Sequence, residues 1–166
     1  MKISFVAALV AGILACITWY VTAVQLGFDN LDVDRYRVLI LYIFITAGVV
    51  ISILTTRNKV FGGFITYQSA VRTGLVATIV MALIITAFGT LYYSYINPDF
   101  YDVLAAEIER AGKVHNANVQ DITNVIAETN KDYGFFRMFT SSLFIGTILS
   151  LLASLALKRT PSEKEN

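Results

Sequence analysis

Four long blocks of uncharged, mostly apolar residues alternate along this chain with stretches that carry the charged side chains. A helix that rises about 1.5 Å per residue needs about 20 apolar residues to cross a hydrocarbon layer of about 30 Å. Because backbone groups in that layer must satisfy one another's hydrogen bonds, the blocks predict four transmembrane α-helices. The predicted spans cover residues 3–28, 38–56, 73–97 and 137–157.

The edges of the blocks support this interpretation, because charged residues bracket each block. Aromatic side chains also gather toward the edges, where an amphipathic ring can lie between hydrocarbon and headgroups. These aromatic residues are Trp19, Tyr20, Tyr36, Tyr42, Tyr92, Tyr93, Tyr95, Phe135 and Phe136. A buried helix in the core of a soluble protein would not require such bracketing.

The first block also has features of a secretory signal, since Lys2 precedes an apolar run and residues 13–16 loosely resemble a lipoprotein cleavage site. Leu14 fits that site poorly, and the apolar run continues to residue 28, so cleavage would leave half a span behind. We therefore expect an uncleaved span in which Cys16 is a small packing residue.

The composition is that of a membrane protein, since 56% of the 166 residues are hydrophobic and only 15% are charged. The 13 basic and 12 acidic residues nearly cancel, which gives no reason to expect a nucleic-acid partner. Cys16 is the single cysteine, which excludes an intrachain disulfide and any cysteine-rich metal site. The lipid bilayer is the partner that the composition predicts.

The connection between the second and third spans is apolar but too short to cross a membrane. Residues 60–71 contain Phe61, Phe64 and Ile65, and they lie between Lys59 and Arg72. Such a segment could lie on the membrane surface while its flanking cations face anionic headgroups. The alternative is an ordinary loop.

The longest hydrophilic region predicts an extramembrane hairpin of two amphipathic helices over residues 98–134. Asn97 and Pro98 are typical of a helix start, and Asn118 can cap the second helix. Apolar residues recur at spacings of three and four, namely Tyr101, Leu104, Ala105, Ile108 and Ala111, then Val119, Ile122, Val125 and Ile126. Gly112 and Gly134 are the expected helix ends. The charged tail at residues 160–166 is expected to be disordered.

The distribution of basic residues predicts the orientation, because an even number of spans places both termini on one side. That side would carry Lys2, Arg57, Lys59, Arg72, Lys158, Arg159 and Lys164, and the other would carry Arg35, Arg37, Arg110, Lys113, Lys131 and Arg137. The first set is concentrated in short flanks and one short loop, whereas most of the second is spread over the longest connection. Both termini are therefore predicted to be cytoplasmic.

Two stretches that flank the third span resemble a known family. They are residues 64–74, with the sequence FITYQSAVRTG, and residues 95–100, with the sequence YINPDF. They are similar to the bacterial membrane-protein family catalogued as domain of unknown function 4199, as are the hairpin and the end of the fourth span. The resemblance covers nearly the whole chain. Family members are mainly Bacteroidota proteins, which implies a bacterial inner membrane with cytoplasmic termini. The family has no established activity, so the resemblance implies no functional residues.

Catalytic and metal-binding patterns are absent from the sequence. His115 is the only histidine, and it lies in the predicted turn of the hairpin, where a solvated residue is more typical than a ligand. Asp99 and Asp102 suit a helix N-terminus, where the helix dipole favours negative charge. The interiors of the spans contain no Asp, Glu, Lys, Arg or His, which argues against a proton-coupled pump within one subunit. We therefore expect a protein that is not an enzyme and has no cofactor or metal.

Small residues recur at intervals of four in every span and are the candidate helix-packing sites. They are Ala8, Gly12 and Cys16 in the first span, Gly48 and Ser52 in the second, Gly74, Thr78 and Ala82 in the third, and Gly146, Ser150 and Ser154 in the fourth. Such rows let helices approach closely, which is a main source of attraction in lipid. They could serve packing inside one four-helix bundle, or a surplus row could bind a second copy or a membrane-protein partner.

The leading functional hypothesis is a non-enzymatic scaffold or accessory subunit that associates through its helix faces and presents residues 98–134 outside the membrane. The alternative is a small channel or transporter for a small or lipidic solute, acting as an oligomer. A third hypothesis is a membrane enzyme that uses Asp99, Asp102 and His115.

Overall fold

Long helices contain all four apolar blocks in the computed structural model, which describes residues 2–25, 31–132 and 134–160. The helices are α1 (Lys2–Gln25), α2 (Leu31–Lys59), α3 (Tyr67–Leu91), a π-helical turn (Tyr92–Ile96), α4 (Phe100–Val114), α5 (Val119–Asp132) and α6 (Phe135–Leu157). Across these described ranges the chain is all-helical and forms no strand.

Four segments are long and apolar enough to cross a membrane, which confirms the predicted number of spans. They are Ser4–Val24, Val38–Lys59, Tyr67–Ile96 and Phe135–Leu157. The chain therefore has the helices of a multi-pass membrane protein. The end of the predicted first span, at residues 26–28, lies outside the described residues, as do residues 161–166 of the predicted tail.

The third span begins earlier than its charge pattern suggests, at Tyr67 rather than at residue 73. Thr66 caps α3, because its side-chain oxygen accepts a hydrogen bond from the backbone N–H of Ser69 at 3.3 Å. Arg72 is therefore part of the helix and does not precede it. The cap satisfies a backbone group that would otherwise have no intrahelical partner.

The connection from α2 to α3 is a loop at residues 60–66, and residues 67–71 of the apolar segment belong to α3. Gly62 and Gly63 turn the chain with positive φ angles of 61° and 98°. Ile65 is buried, and its backbone exchanges two hydrogen bonds of 2.9 Å with the backbone of Arg159 after α6. This short antiparallel bridge joins the loop to the end of the fourth helix.

The four long helices form one bundle in which α1 and α3 run in the opposite direction to α2 and α6. Ser52 of α2 donates a hydrogen bond to the carbonyl of Ser4 at 3.2 Å, and Arg57 donates one to the carbonyl of Leu157 at 3.4 Å. These contacts place the start of α1, the end of α2, the start of α3 and the end of α6 at the same end of the bundle. We call it the basic end, defined by Arg57, Lys59, Arg72, Lys158 and Arg159.

Helix α3 packs on α1, α2 and α6 and is the most buried of the four long helices. In the most apolar 18-residue stretch of α3, 44% is buried inside the bundle, whereas in that of α6 only 17% is buried. The outer face of α6 exposes large apolar side chains, among them Phe144 and Leu152. Such exposure would be unfavourable in water but is expected where lipid is the solvent.

Three of the aromatic residues expected near the membrane interface are instead buried inside the bundle. Trp19 is 2% exposed, and its ring lies 5.3 Å from that of Phe88 and 5.5 Å from that of Tyr92. Tyr93 packs on Trp19 at 6.1 Å and on Phe100 at 4.7 Å. The cluster therefore links α1, the end of α3 and the start of α4.

The hydrophilic region contains two paired helices, α4 and α5. Helix α4 begins at Phe100, two residues after the predicted start at Pro98, and Asp99 before it makes no capping hydrogen bond with its side chain. The helix continues past Gly112, its predicted end, to Val114. The side-chain oxygen of Asn118 accepts a hydrogen bond from the backbone N–H of Gln120 at 3.2 Å, as expected for a residue before a helix. A Cβ atom on Gly112 would lie 2.5 Å from Ile122 Cδ1, so the lack of a side chain lets the helices meet.

The α3 cap gives a first prediction. Replacement of Thr66 with alanine removes the oxygen that accepts from Ser69 N–H, and it should lower the free energy of unfolding by about 1 kcal/mol. Reversible unfolding in mixed detergent micelles measures this change. Thr66→Ser retains the oxygen and should unfold like the wild type, whereas equal stability of Thr66→Ala and wild type would contradict the cap.

Candidate functional site

The small residues predicted to pack helices are all buried inside the described bundle. They are Ala8, Gly12 and Cys16 on α1, Gly48 and Ser52 on α2, Gly74, Thr78 and Ala82 on α3, and Gly146, Ser150 and Ser154 on α6. Each of these rows therefore faces the interior of its own chain.

On the α1 side of the bundle, glycines allow close contact among three helices. A Cβ atom on Gly48 would lie 2.9 Å from the Cβ of Ala11, a separation that real side chains do not show. A Cβ on Gly12 would lie 3.1 Å from Cδ1 of Ile84 on α3. Both glycines therefore set how closely α1 approaches its neighbours, and larger residues there would force the helices apart.

On the other side of α3, close packing is combined with hydrogen bonds between helices. The Thr78 hydroxyl donates to the carbonyl of Gly146 at 3.1 Å and lies 3.0 Å from the hydroxyl of Ser150. A Cβ on Gly146 would overlap Cγ2 of Thr78, and a Cβ on Gly74 would lie 2.9 Å from the Cβ of Ser150. The α3–α6 contact therefore needs both small volume and buried hydroxyl groups.

The three residues considered for an enzymatic site do not come together. Asp99 and Asp102 lie at the start of α4, whereas His115 lies at its end. All three side chains are exposed, and the 15 residues of α4 separate the two ends by about 22 Å. Among the described residues, no group of three His, Cys, Asp or Glu side chains could hold a metal ion. Burial raises the pKa of Tyr101 above its usual value.

The α4–α5 pair leaves part of its apolar surface uncovered. Val114 is 74% exposed, Val119 is 77% exposed and Val125 is 49% exposed. Leu104 of α4, in contrast, is buried. The ion pair between Arg110 and Glu107 is exposed, which is typical of a helix face in water. The apolar stripe predicted for α5 is therefore only partly buried by contacts within the chain.

A cavity of about 620 Å³ lies at the basic end and was not foreseen from the sequence. Its lining comes from α1, α2, α3 and the loop between α2 and α3. It consists of Ser4, Thr56, Val60, Phe61, Ser69, Arg72, Thr73, Leu75 and Val76. The Thr56 hydroxyl is buried and has no hydrogen-bond partner among the described residues. The sequence contains one sign of the site, because Thr66 stands three residues before Ser69, a spacing typical of a helix cap. A helix that begins after Thr66 includes Arg72.

Comparison with known proteins identifies a family. The sequence profile described as "Protein of unknown function (DUF4199)" matches residues 7–159, which confirms the resemblance inferred from residues 64–74 and 95–100. No curated protein and no solved structure matches this chain.

The α3–α6 contact gives a second prediction. Gly146→Ala places a methyl group against Cγ2 of Thr78 and should lower the free energy of unfolding by roughly 1–3 kcal/mol. Adding Thr78→Ser removes Cγ2 but keeps the hydroxyl, so the double variant should recover part of the loss. Unfolding of both single variants and the double variant in detergent micelles measures the coupling. Strictly additive losses would contradict the steric contact.

Proposed function

We propose a function for this chain from the premise that it belongs to the family described as protein of unknown function (DUF4199). The chain is a non-enzymatic scaffold or accessory subunit of a bacterial inner membrane. Its four long helices form an anchor, and α4 and α5 form an extramembrane hairpin that contacts a membrane-protein partner. The partner contact lies on the uncovered apolar surface of α4 and α5.

The observation that carries this proposal is the exposure of Val114, Val119 and Val125. These valines belong to a polar pair of helices, where lipid would not cover them. An apolar patch of this kind on a surface in water is typical of a protein–protein contact. The exposed charged residues around it, such as Glu128 and Lys113, would form a polar rim.

The packing of the spans supports an anchoring role. The small-residue rows of α3 and α6 face each other, and those of α1 and α2 face the same interior. Association with another protein would therefore use other surfaces, namely the hairpin and the lipid-facing sides of the spans. The described parts of the spans carry charged side chains only near their ends, at Arg57, Lys59, Arg72 and Arg137.

The charge distribution supports an orientation with both termini in the cytoplasm. Five basic side chains surround the basic end, and no acidic side chain accompanies them among the residues described there. Basic residues that flank spans are retained on the cytoplasmic side. The hairpin then lies on the opposite, periplasmic side, together with Asp99, Asp102 and Glu107.

Cysteine labelling tests this orientation. In a Cys16→Ala background, Lys113→Cys should react with a membrane-impermeant maleimide in intact spheroplasts, whereas Lys158→Cys should react only after lysis. Both lysines are exposed in the structure, so burial does not distinguish them. Labelling of Lys158→Cys before lysis, or of both cysteines to the same extent, would exclude the proposed orientation.

Site-specific photo-crosslinking tests the partner contact. Benzoylphenylalanine in place of Val119 or Val125 should give an adduct with one membrane protein in the source bacterium. The same group in place of Asn124, an exposed residue on the opposite face of α5, should not. Mass spectrometry of the adducts identifies the partner.

Two results would count against the scaffold. One is the same adduct pattern from all three positions, which would indicate random collisions. The other is a solute flux in liposomes that contain only the purified chain, which would favour the channel or transporter hypothesis. Full complementation of a knockout phenotype by a chain with alanine at Asp99, Asp102 and His115 would argue against an enzyme.

A further inference from the structure

The cavity at the basic end combines a cation, hydroxyl groups and an apolar wall. Ser69 lies about one turn before Arg72 and Thr73 on α3, and Leu75 and Val76 follow them farther along the helix. Phe61 of the loop completes the apolar part. Its volume of about 620 Å³ falls within the range of sites that bind small molecules.

The charge around the cavity is uncompensated within the part of the chain that the structure describes. Arg72 is exposed and forms no ion pair there, and the neighbouring Arg57 donates its hydrogen bonds to Asn58 and to the carbonyl of Leu157. Lys59, Lys158 and Arg159 add to the positive charge at the same end. A ligand with a negative charge would therefore be attracted, and one with an exposed positive charge would be repelled.

The depth of the cavity matches the boundary between headgroups and hydrocarbon. The third span, Tyr67–Ile96, contains 30 residues and is about 45 Å long, whereas the hydrocarbon layer is about 30 Å thick. Both ends of this helix therefore reach the headgroup layers. Arg72 lies in the second turn, at headgroup level, and Val76 lies one turn closer to the hydrocarbon.

We propose that this cavity binds an anionic phospholipid, with the phosphate at Arg72 and one acyl chain along Leu75 and Val76. The planar guanidinium group of Arg72 suits a phosphate, because its N–H groups can donate two parallel hydrogen bonds. Ser69 accepts a hydrogen bond from the Thr66 hydroxyl at 3.1 Å, which leaves its own O–H to donate to the ligand. The unpartnered Thr56 hydroxyl lies in the same lining.

The gradient from polar to apolar lining favours a lipid over free phosphate. Inorganic phosphate could use Arg72 and Ser69, but it would leave Phe61, Leu75 and Val76 without a ligand contact. A second depression of about 380 Å³, lined by Ile13, Cys16, Ile17, Tyr20, Ile84 and Phe88, has no cationic side chain in its lining. The cavity at Arg72 therefore has a headgroup-binding chemistry that this other groove lacks.

Native mass spectrometry of the full chain in detergent tests the proposal, which does not depend on the scaffold function. The chain is mixed with equal amounts of phosphatidylglycerol and phosphatidylcholine of the same acyl composition. The wild type should retain phosphatidylglycerol with a preference of roughly tenfold, a factor expected for one charge-assisted interaction. Arg72→Gln should abolish the preference, and Arg72→Lys should keep part of it.

Two further variants separate a bound lipid from general attraction to the basic end. Lys158→Gln removes the same charge from an exposed position outside the cavity and should retain the preference. Val76→Phe keeps every charge but fills the apolar wall, so it should weaken phosphatidylglycerol binding. Because it leaves Arg72 in place, it keeps the test decisive if Arg72→Gln fails to fold.

The alternative outcomes contradict the proposal in distinct ways. Equal binding of the two lipids by the wild type would mean ordinary contact with bulk lipid. Equal losses in Arg72→Gln and Lys158→Gln would mean diffuse attraction to the basic end. Displacement of phosphatidylglycerol by millimolar inorganic phosphate, with direct phosphate adducts, would mean that the site binds free phosphate.

Discussion

Hydrocarbon offers the peptide backbone no hydrogen-bond partner, and this constraint shapes the molecule more than any single contact. The apolar blocks become helices because only a helix satisfies each N–H and C=O group within its own segment. Among the described residues, departures from α-helix next to the spans lie at the ends of the spans, as in the loop at residues 60–66 and the turn Tyr92–Ile96. In the loop, the backbone of the buried residue Ile65 forms hydrogen bonds with the backbone of Arg159, which follows α6.

The same solvent changes what holds the helices together. Lipid tails are as apolar as leucine, so the burial of large side chains brings little gain, and close contact between small residues matters more. Between α3 and α6, Gly146 and Thr78 provide both close approach and a hydrogen bond from a hydroxyl to a backbone carbonyl. Each polar group that enters the interior needs such a partner. Thr78 has one in the neighbouring helix, whereas the hydroxyl groups of Thr86 and Ser154 have none among the described residues.

The sequence predicts the spans well because the cost of a charge in hydrocarbon is a local property that can be read residue by residue. It also places Asn118 before a helix start, since capping depends on neighbours along the chain, whereas α4 begins at Phe100 and not at the predicted Pro98. The charge pattern puts the start of the third span after Arg72, whereas α3 begins at Tyr67. A charged residue can lie within the helix because a long side chain near a helix end can reach the headgroups. Burial of Trp19 and the cavity beside Arg72 could not be predicted from local pattern, because both depend on residues of several helices.

The bridge between Ile65 and Arg159 has a consequence for how the protein is made. Its two partners are 94 residues apart (159 − 65), and they meet through two hydrogen bonds of 2.9 Å. During synthesis Ile65 reaches the membrane well before α6 has left the ribosome, since translation adds residues one after another. The bridge can therefore close only once the last helix is inserted with its end on the correct side.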